Sequence, residues 1–465
     1  MHELFNPKTV AIVGQSHEEK SIAHGILKNL LKGGVFGNKH CKPFPGKTYV
    51  VNPEAEYVSG LKSFPSLLRV PDQIDLALLC TSAKDTMQVV KDCIKKKTKN
   101  IILLSSEFSE MGEAGKKLEQ KIVEIAKKAK VKILGPNAFG IIRPAFSLNA
   151  STAPTMPKPG SIALISSSGG IINSVLGKYD AEKFGFSVIA GYGSGADIEV
   201  EDFFEFLQND FQTKVVALCI EDIRDGQKFL TLAKQLNKVK PVVVLKIGAT
   251  FAGKVASKQH SGNETGDDTL YDAAFKQAGL ISVNSVEDLL NISNTLACMP
   301  PCQTNNIFVI TNSGGLGILA ADYLTGCCIK LAEPKAALIK KLSLTKRFTT
   351  MNNPLDISND ALPEKYNLAL SSVLSEDNVG GVLVIQTMQT MTDAEETAKT
   401  IITNFKTHPT KPVITVGIGG IFSDKAALLL NAEGIPDFEE SGAAAKALTA
   451  LVKRGVSEAL VILVS

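Results

Sequence analysis

An α/β fold built on doubly wound parallel sheets, arranged in three consecutive domains, is what this sequence predicts, and three observations carry the prediction. Short β-branched runs alternate with longer helical patterns through the first 135 residues, the signature of a parallel sheet with crossover helices. Two strand-like runs, IALISSSGG at 162–170 and IFVITNSGG at 307–315, each break at Ser-Gly-Gly and continue as a helix. The length of 465 residues exceeds one core and fits roughly three domains of about 150 residues each. The 145 residues separating Gly169 from Gly314 repeat that size and point to a duplication.

In the first domain the predicted strands are 9–13, 48–51, 76–79, 101–104 and 131–134. Between them 21–31, 83–95 and 112–130 carry the 3.6-residue apolar period of crossover helices, the last rich in Lys and Glu on its solvent side. The Pro-rich stretch TAPTMPKPG at 152–160 reads as a linker, and CMPPCQT at 298–304 as a second. The two later domains repeat more than their opening turn. The run 215–220 parallels 381–385, KPVVVL at 240–245 parallels KPVITV at 411–416, and Asp-centred loops recur at Asp197 and Asp356. Both have the order expected of flavodoxin-like units, whose ligands sit at the carboxyl ends of the strands.

Composition removes several function classes. The formal charge is only +3 and no tract mixes basic with aromatic residues, so nucleic acid is not an expected partner. No run reaches the roughly 18 apolar residues of a membrane helix, and the N-terminus lacks a basic segment followed by an apolar one. A soluble cytoplasmic protein without a membrane partner is expected. The eight cysteines show no CxxC spacing and read as reduced core thiols; no metal site is expected.

A strand feeding a helix through Ser-Gly-Gly aims unpaired N–H groups and a positive dipole end at whatever sits above the turn, which suits phosphate. Ser168, Gly169 and Gly170, and in the second copy Ser313, Gly314 and Gly315, are therefore candidate phosphate-binding positions. The run VAIVG at 10–14 is a strand entering a glycine turn, the place where a first βα unit receives a nucleotide phosphate, but it is not GxGxxG. The second strand ends in Asn52 and Pro53 where a nicotinamide site wants an acidic residue. A dehydrogenase thus fails twice, and a different nucleotide-like ligand such as coenzyme A stays open. Gly46-Lys47-Thr48 lacks the first glycine of a P-loop, position 41 being Cys, and precedes its strand. No Gly-x-Ser-x-Gly elbow surrounds Ser168, Ser194 or Ser313.

Of six histidines, His2, His17, His24, His40 and His408 have unremarkable surroundings. His260 lies in ASKQHSG at 256–262, a polar stretch read as a loop, and the matching GIGGIFS at 417–423 has no histidine. An imidazole with an ordinary pKa of about 6.5 is a competent nucleophile toward phosphorus. A phosphorylated imidazole needs a carboxylate to orient its other nitrogen, and Glu221, directly after the strand 215–220, is the candidate. Asp197 and Asp356 read equally well as structural Asx turns.

Taken together, VAIVG at 10–14, VVNP at 50–53, GPNAFG at 135–140, LNA at 148–150, Ser168-Gly169, GAD at 195–197, KIG at 246–248, YDAAFKQAG at 271–279, TNSGG at 311–315 and NPLD at 353–356 resemble one family over essentially the whole chain. It is the alpha subunit of the nucleoside-diphosphate-forming acyl-CoA synthetases, relatives of succinyl-CoA synthetase. The resemblance implies a Rossmann-like CoA-binding domain over 1–135, a flavodoxin-like ligase domain carrying the phosphohistidine loop over 136–300, and a second flavodoxin-like ligase domain over 301–465.

By the same resemblance His260 is the phosphohistidine and Glu221 its supporting carboxylate. Coenzyme A is implied at Gly14, Gln15, Ser16, Asn52, Pro53, Cys80, Thr81, Ser82, Ser105, Ser106 and Asn137. The implied reaction interconverts acyl-CoA, phosphate and ADP with a carboxylic acid, CoA and ATP. ADP or ATP with Mg2+ belongs to a separate ATP-grasp beta subunit, in an alpha2beta2 heterotetramer. The sequence departs from the family pattern at Gln259 and across 263–266, at Ser167, at SSEF over 105–108, and at Ser194. Two other readings stand beside this one: a CoA-binding regulatory protein with a vestigial site, and a succinyl-CoA synthetase-like alpha chain.

Overall fold

The computed structural model describes the chain except residues 179–182, 262–265, 344–347 and 465, and within helices gives only the backbone of 178, 260, 261 and 457–464. The described residues fall into two compact units, Met1–Leu289 and Leu290–Ser465. The α/β class expected from the sequence is what the chain adopts.

The first unit contains two sheets. In the first, β1 (Thr9–Gly14), β2 (Lys47–Val51), β3 (Tyr57–Val58), β4 (Leu61–Phe64), β5 (Leu76–Cys80), β6 (Asn100–Leu103) and β7 (Lys132–Leu134) lie in the order β3-β4-β2-β1-β5-β6-β7. Without the antiparallel edge strand β3, the parallel strands read 3-2-1-4-5-6, the dinucleotide-fold order whose switch point lies between β1 and β5. The middle residues of β1 and nearly all of β5 and β6 are buried because helices cover both faces. Helix Ile22–Lys32 starts at Ser21, whose hydroxyl accepts from His24 N at 3.1 Å, and stops at Gly33 with φ of 86°. The five predicted strands and three crossover helices all form, with ends shifted by a residue or two. The β3–β4 hairpin escapes sequence reading because β3 is two residues long and too short for a period to show.

In the second sheet, β8 (Gly140–Arg143), β9 (Leu148–Ser151), β10 (Pro159–Ser166), β11 (Phe186–Gly191), β12 (Val215–Ile220), β13 (Val242–Lys246) and β14 (Ile281–Val283) lie in the order β14-β13-β12-β10-β11-β8-β9. The five from β10 to β14 read 2-1-3-4-5, the flavodoxin order, and β8 and β9 extend it antiparallel. One continuous apolar core joins the two sheets, with Phe5 of the N-terminal helix stacked on Phe206 at 4.3 Å.

The stretch 152–160 is not a free linker. Asn29 donates to the carbonyls of Ser151 and Ala153, Asn38 donates to Met156, and Met156 is fully buried, so the stretch is a packed strap. Prolines removed its donors without preventing its carbonyls from being used.

In the second unit, β15 (Asn306–Thr311), β16 (Lys330–Leu331), β17 (Leu355–Asp356), β18 (Gly381–Thr387), β19 (Val413–Ile418) and β20 (Asp437–Phe438) form a sheet ordered β16-β15-β18-β19-β20, with β17 also on β15. Setting β17 aside, the order is again 2-1-3-4-5, so the sequence repeat is a repeat of topology. The expected linker 298–304 also packs: Cys302 is buried and its amide donates to Leu451 of the last helix.

No helix among the described residues is long and apolar enough to cross a membrane. No described group of His, Cys, Asp and Glu could hold a metal ion.

Candidate active site

The crevice at the switch point of the first sheet is a cleft of about 460 Å³, formed where β1, β2 and β5 end. Gly14, Gln15, Asn52, Pro53, Cys80, Thr81 and Ser82 all line it, so seven positions assigned to coenzyme A from the sequence meet in one place. Gly14 has φ of 145°, and a Cβ there would come within 2.6 Å of the Cys80 carbonyl, which pairs alongside it. Only glycine lets the two strand ends close this tightly. Helix Ala83–Lys96 begins at Ser82, so its free N–H groups open at the cleft's edge, an arrangement suited to a phosphate group.

The polar groups around this cleft are themselves held. Asn52 Oδ1 accepts from Glu54 N at 2.9 Å, and its Nδ2 donates to His17 Nδ1 at 2.7 Å. Desolvation pushes the half-buried Cys80 thiol up to about 12, which keeps it neutral. Ser16, Ser105 and Ser106 do not line the cleft. Ser16 is fully buried and its carbonyl accepts from His24 Nδ1 at 2.7 Å, while the Ser105 hydroxyl is tied to the Thr81 carbonyl.

Asn137 lines a second cleft, of about 380 Å³, together with Ser168, Gly169, Gly170 and Glu221. The turn at 135–137 is built for this. A Cβ on Gly135 would meet the Leu103 carbonyl at 2.4 Å, Asn137 takes φ of 53°, and its amide donates to Ser105 O at 2.9 Å. From the other sheet, Gly193 presses on the same turn, where a Cβ would meet Pro136 O at 2.1 Å. Asp197 secures the junction: its Oδ2 accepts from Ile133 N at 2.8 Å and its Oδ1 lies 3.5 Å from Lys127. It is therefore a clamp between two sheets and not an Asx turn. Gln15 borders the first cleft and Ile22 the second, so the short segment between them connects the two.

At the second cleft, helix Gly169–Lys178 begins with its two glycines in the cleft wall. The preceding turn is locked by Ser166, whose hydroxyl donates to Ser168 O and accepts from Ser168 N, both at 3.0 Å. Glu221 follows β12 directly and is buried, and Lys246 ends the neighbouring strand in register with Ile220. The Lys246 ammonium lies 4.8 Å from the Tyr271 ring centre and donates to Ile247 O at 2.6 Å; burial holds it below the usual lysine range. Burial likewise raises the Asp222 carboxyl.

Residues 8–144 match a CoA binding domain, and 159–296 match the succinyl-CoA ligase like flavodoxin domain. Over 458 residues the chain is 34% identical to the alpha subunit of ADP-forming acetate–CoA ligase I of Pyrococcus furiosus, covering 97% of each. The chain belongs to the ADP-forming acyl-CoA ligase alpha-subunit family. An ADP-forming acetate–CoA ligase of Methanocaldococcus jannaschii is 38% identical over 451 residues, which are 96% of this chain and 62% of that longer relative. The dinucleotide-forming acetyl-coenzyme A synthetase 1 of Candidatus Korarchaeum cryptofilum, solved in complex with phosphate and ADP, superposes with a TM-score of 0.92 at 30% identity, over 100% of this chain and 98% of that one.

In this acyl-CoA ligase chain His260 does not sit in an irregular loop. Helix Phe251–Ser261 runs through it, because nothing from Ala256 to Ser261 breaks a helix before Gly262. The His260 side chain lies outside the described residues, as do 262–265.

In the second unit Gly314 and Gly315 open helix Gly314–Gly326, and Thr311 takes the part of Ser166: its hydroxyl donates to Ser313 O at 3.0 Å and accepts from Ser313 N at 2.9 Å. Asp356 Oδ1 accepts from Ser358 N at 2.8 Å, an Asx turn, and a Cβ on Gly314 would come within 2.9 Å of its Oδ2. The chain's own carboxylate thus sits at this helix end.

Sequence reasoning missed Ile22, Glu110, Asn173 and Gly193 as walls of the second cleft. Only Gly193 left a readable signal, as a glycine in a turn just after a buried strand. Of the expected core thiols, Cys93, Cys219 and Cys302 are buried, whereas Cys298 and Cys328 are exposed.

Proposed function

We propose that the chain interconverts acyl-CoA, phosphate and ADP with a small carboxylic acid, CoA and ATP, through an acyl phosphate and a phosphohistidine on His260. The observation carrying this reading is that Glu221, the Ser168–Gly169–Gly170 helix start and Asn137 share one cleft, next to the switch-point crevice. Coenzyme A occupies that crevice, with Gly14 allowing close backbone approach and the helix after Ser82 facing a phosphate of the ligand.

A phosphate oxygen attacks the acyl carbonyl carbon, the thioester C–S bond breaks, and CoA leaves as thiolate. A ring nitrogen of His260 then attacks phosphorus, and the carboxylate departs. The N–H groups at Gly169 and Gly170 stabilise charge on the transferring group, and Glu221 orients the imidazole. The turn at Ser313, Gly314 and Gly315 is a second station for the phosphoryl group. ADP with Mg2+ is held by a separate ATP-grasp beta subunit in an alpha2beta2 assembly. This reading is supported by the relatives named as alpha subunits and by the M. jannaschii relative that extends beyond the matched region. A reducing cytoplasm suits both the free thiols and the CoA chemistry.

The chain incubated with acetyl-CoA and radiolabelled phosphate should acquire acid-labile label. Label persisting in a His260→Ala chain would refute the assignment. Coenzyme A binding without any label would favour the regulatory reading.

A further inference from the structure

The second cleft has a division of labour in its walls. Its helix end and Glu221 come from the second sheet, whereas Ile22, Leu104 and Glu110 come from segments that follow β1 and β6 of the first. An acyl group whose carbonyl is attacked near Gly169 therefore lies in the same cleft as Ile22, Leu104 and Glu110. The described lining contains the carboxylates of Glu110 and Glu221 and no lysine or arginine.

Glu110 is exposed, and its carboxylate is held in place by its own turn. Its Oε1 accepts from Glu107 N at 2.6 Å, and Glu107 itself takes φ of 77°, a conformation that a non-glycine residue adopts only when its surroundings hold it. The same loop is anchored by Phe108, which is fully buried, and by Ser109, whose hydroxyl donates to Glu119 Oε2 at 2.7 Å. A Cβ on Gly115 would come within 1.9 Å of Phe108 O, so the following helix packs directly on the loop. The 3-10 turn Ser109–Met111 also lies against helix Phe251–Ser261, which carries His260.

We propose that Glu110 determines acyl specificity: its carboxylate repels an acyl group bearing a second, free carboxylate and restricts the ligase to acyl chains that are uncharged at the tail. This rests on the acyl phosphate reading above and adds the residue that sets its substrate range. Two carboxylates held a few ångströms apart near a protein surface repel strongly enough for discrimination on the order of tenfold to a hundredfold.

The test compares two CoA esters of nearly equal shape, succinyl-CoA and its neutral monoamide, by the initial rate of phosphate incorporation into the full chain. The wild-type chain should favour the monoamide by about tenfold or more. Glu110→Gln keeps an oxygen to accept from Glu107 N and should bring the ratio of the two rates close to one. Glu110→Lys should invert it. A wild-type chain labelled equally from both esters refutes the role of Glu110 without any variant, as does an unchanged ratio in Glu110→Gln. A chain labelled from neither of these esters nor from acetyl-CoA refutes the relay itself.

Discussion

Ser166 holds Ser168 from both sides, with one hydroxyl donating to its carbonyl and accepting from its amide at 3.0 Å each. The residue that ends the strand thereby decides where the following helix begins. Thr311 does the same to Ser313 in the second unit, so the duplication preserved a hydrogen-bonding function while exchanging one hydroxyl residue for another. Sequence comparison of the two turns shows Ser-Gly-Gly; the structure shows that the hydroxyl two residues before each serine belongs to the same device.

Ser166→Ala leaves the amide and carbonyl of Ser168 without this partner in a half-buried turn. The expected loss is about 1–3 kcal/mol of stability. Phosphate incorporation should fall by about tenfold through misplacement of the helix end, while the coenzyme A dissociation constant stays within about twofold. Chemical denaturation, single-turnover labelling and calorimetry separate the three effects.

Gly14→Ala puts a methyl group 2.6 Å from the Cys80 carbonyl at a backbone angle unfavourable to any L side chain. Stability should fall by about 1–3 kcal/mol. Coenzyme A affinity should drop as the switch-point crevice is forced apart, and calorimetric titration reads this directly.

Glu221→Gln keeps the shape of the cleft and removes the charge. If the carboxylate steadies a histidine, the rate of acid-labile labelling should fall by about ten- to a hundredfold. Coenzyme A affinity should not change, because Glu221 does not line the first cleft. An unchanged labelling rate would remove Glu221 from the site.

Arg143 and Asp210 form a buried ion pair at 3.0 Å, both side chains almost wholly out of solvent, with Arg143 over the Phe146 ring at 4.4 Å. Asp210→Asn should cost about 3–5 kcal/mol because it strands a buried guanidinium. Urea denaturation of the full chain, followed for the first unit, measures it.

Thiol chemistry should sort the cysteines by burial. Burial pushes Cys80, Cys219 and Cys302 up to about 12, so the reactive thiolate is scarce until pH approaches that value. At pH 8 iodoacetamide should modify exposed Cys298 and Cys328 first, and raising the pH to 9 should leave Cys219 and Cys302, which are also buried, unmodified in the native state. Peptide mass mapping reads the order.

Much of the fold was legible because a parallel sheet buried on both faces writes its central strands as unbroken apolar runs. The strands β1, β5, β6, β10, β12, β15, β18 and β19 all announce themselves in this way. Short edge pieces such as Tyr57–Val58 do not, since two residues carry no period. The strap at 152–160 looked like a linker because its prolines remove amide donors, yet its carbonyls are taken by Asn29 and Asn38.

By itself the sequence determined the fold class, the duplicated Ser-Gly-Gly turns and the residue types that suit coenzyme A and phosphate, because local backbone chemistry dictates each of these. Only the tertiary structure decided how those residues are shared out. It divided the expected coenzyme A set between two clefts, buried Ser16, made Asp197 a clamp and Asp356 a turn, and brought Glu110 into the cleft of Glu221. The physical reason is that each of these outcomes depends on contacts between segments far apart in the chain, where packing and hydrogen-bond satisfaction choose among roles that any single segment leaves open.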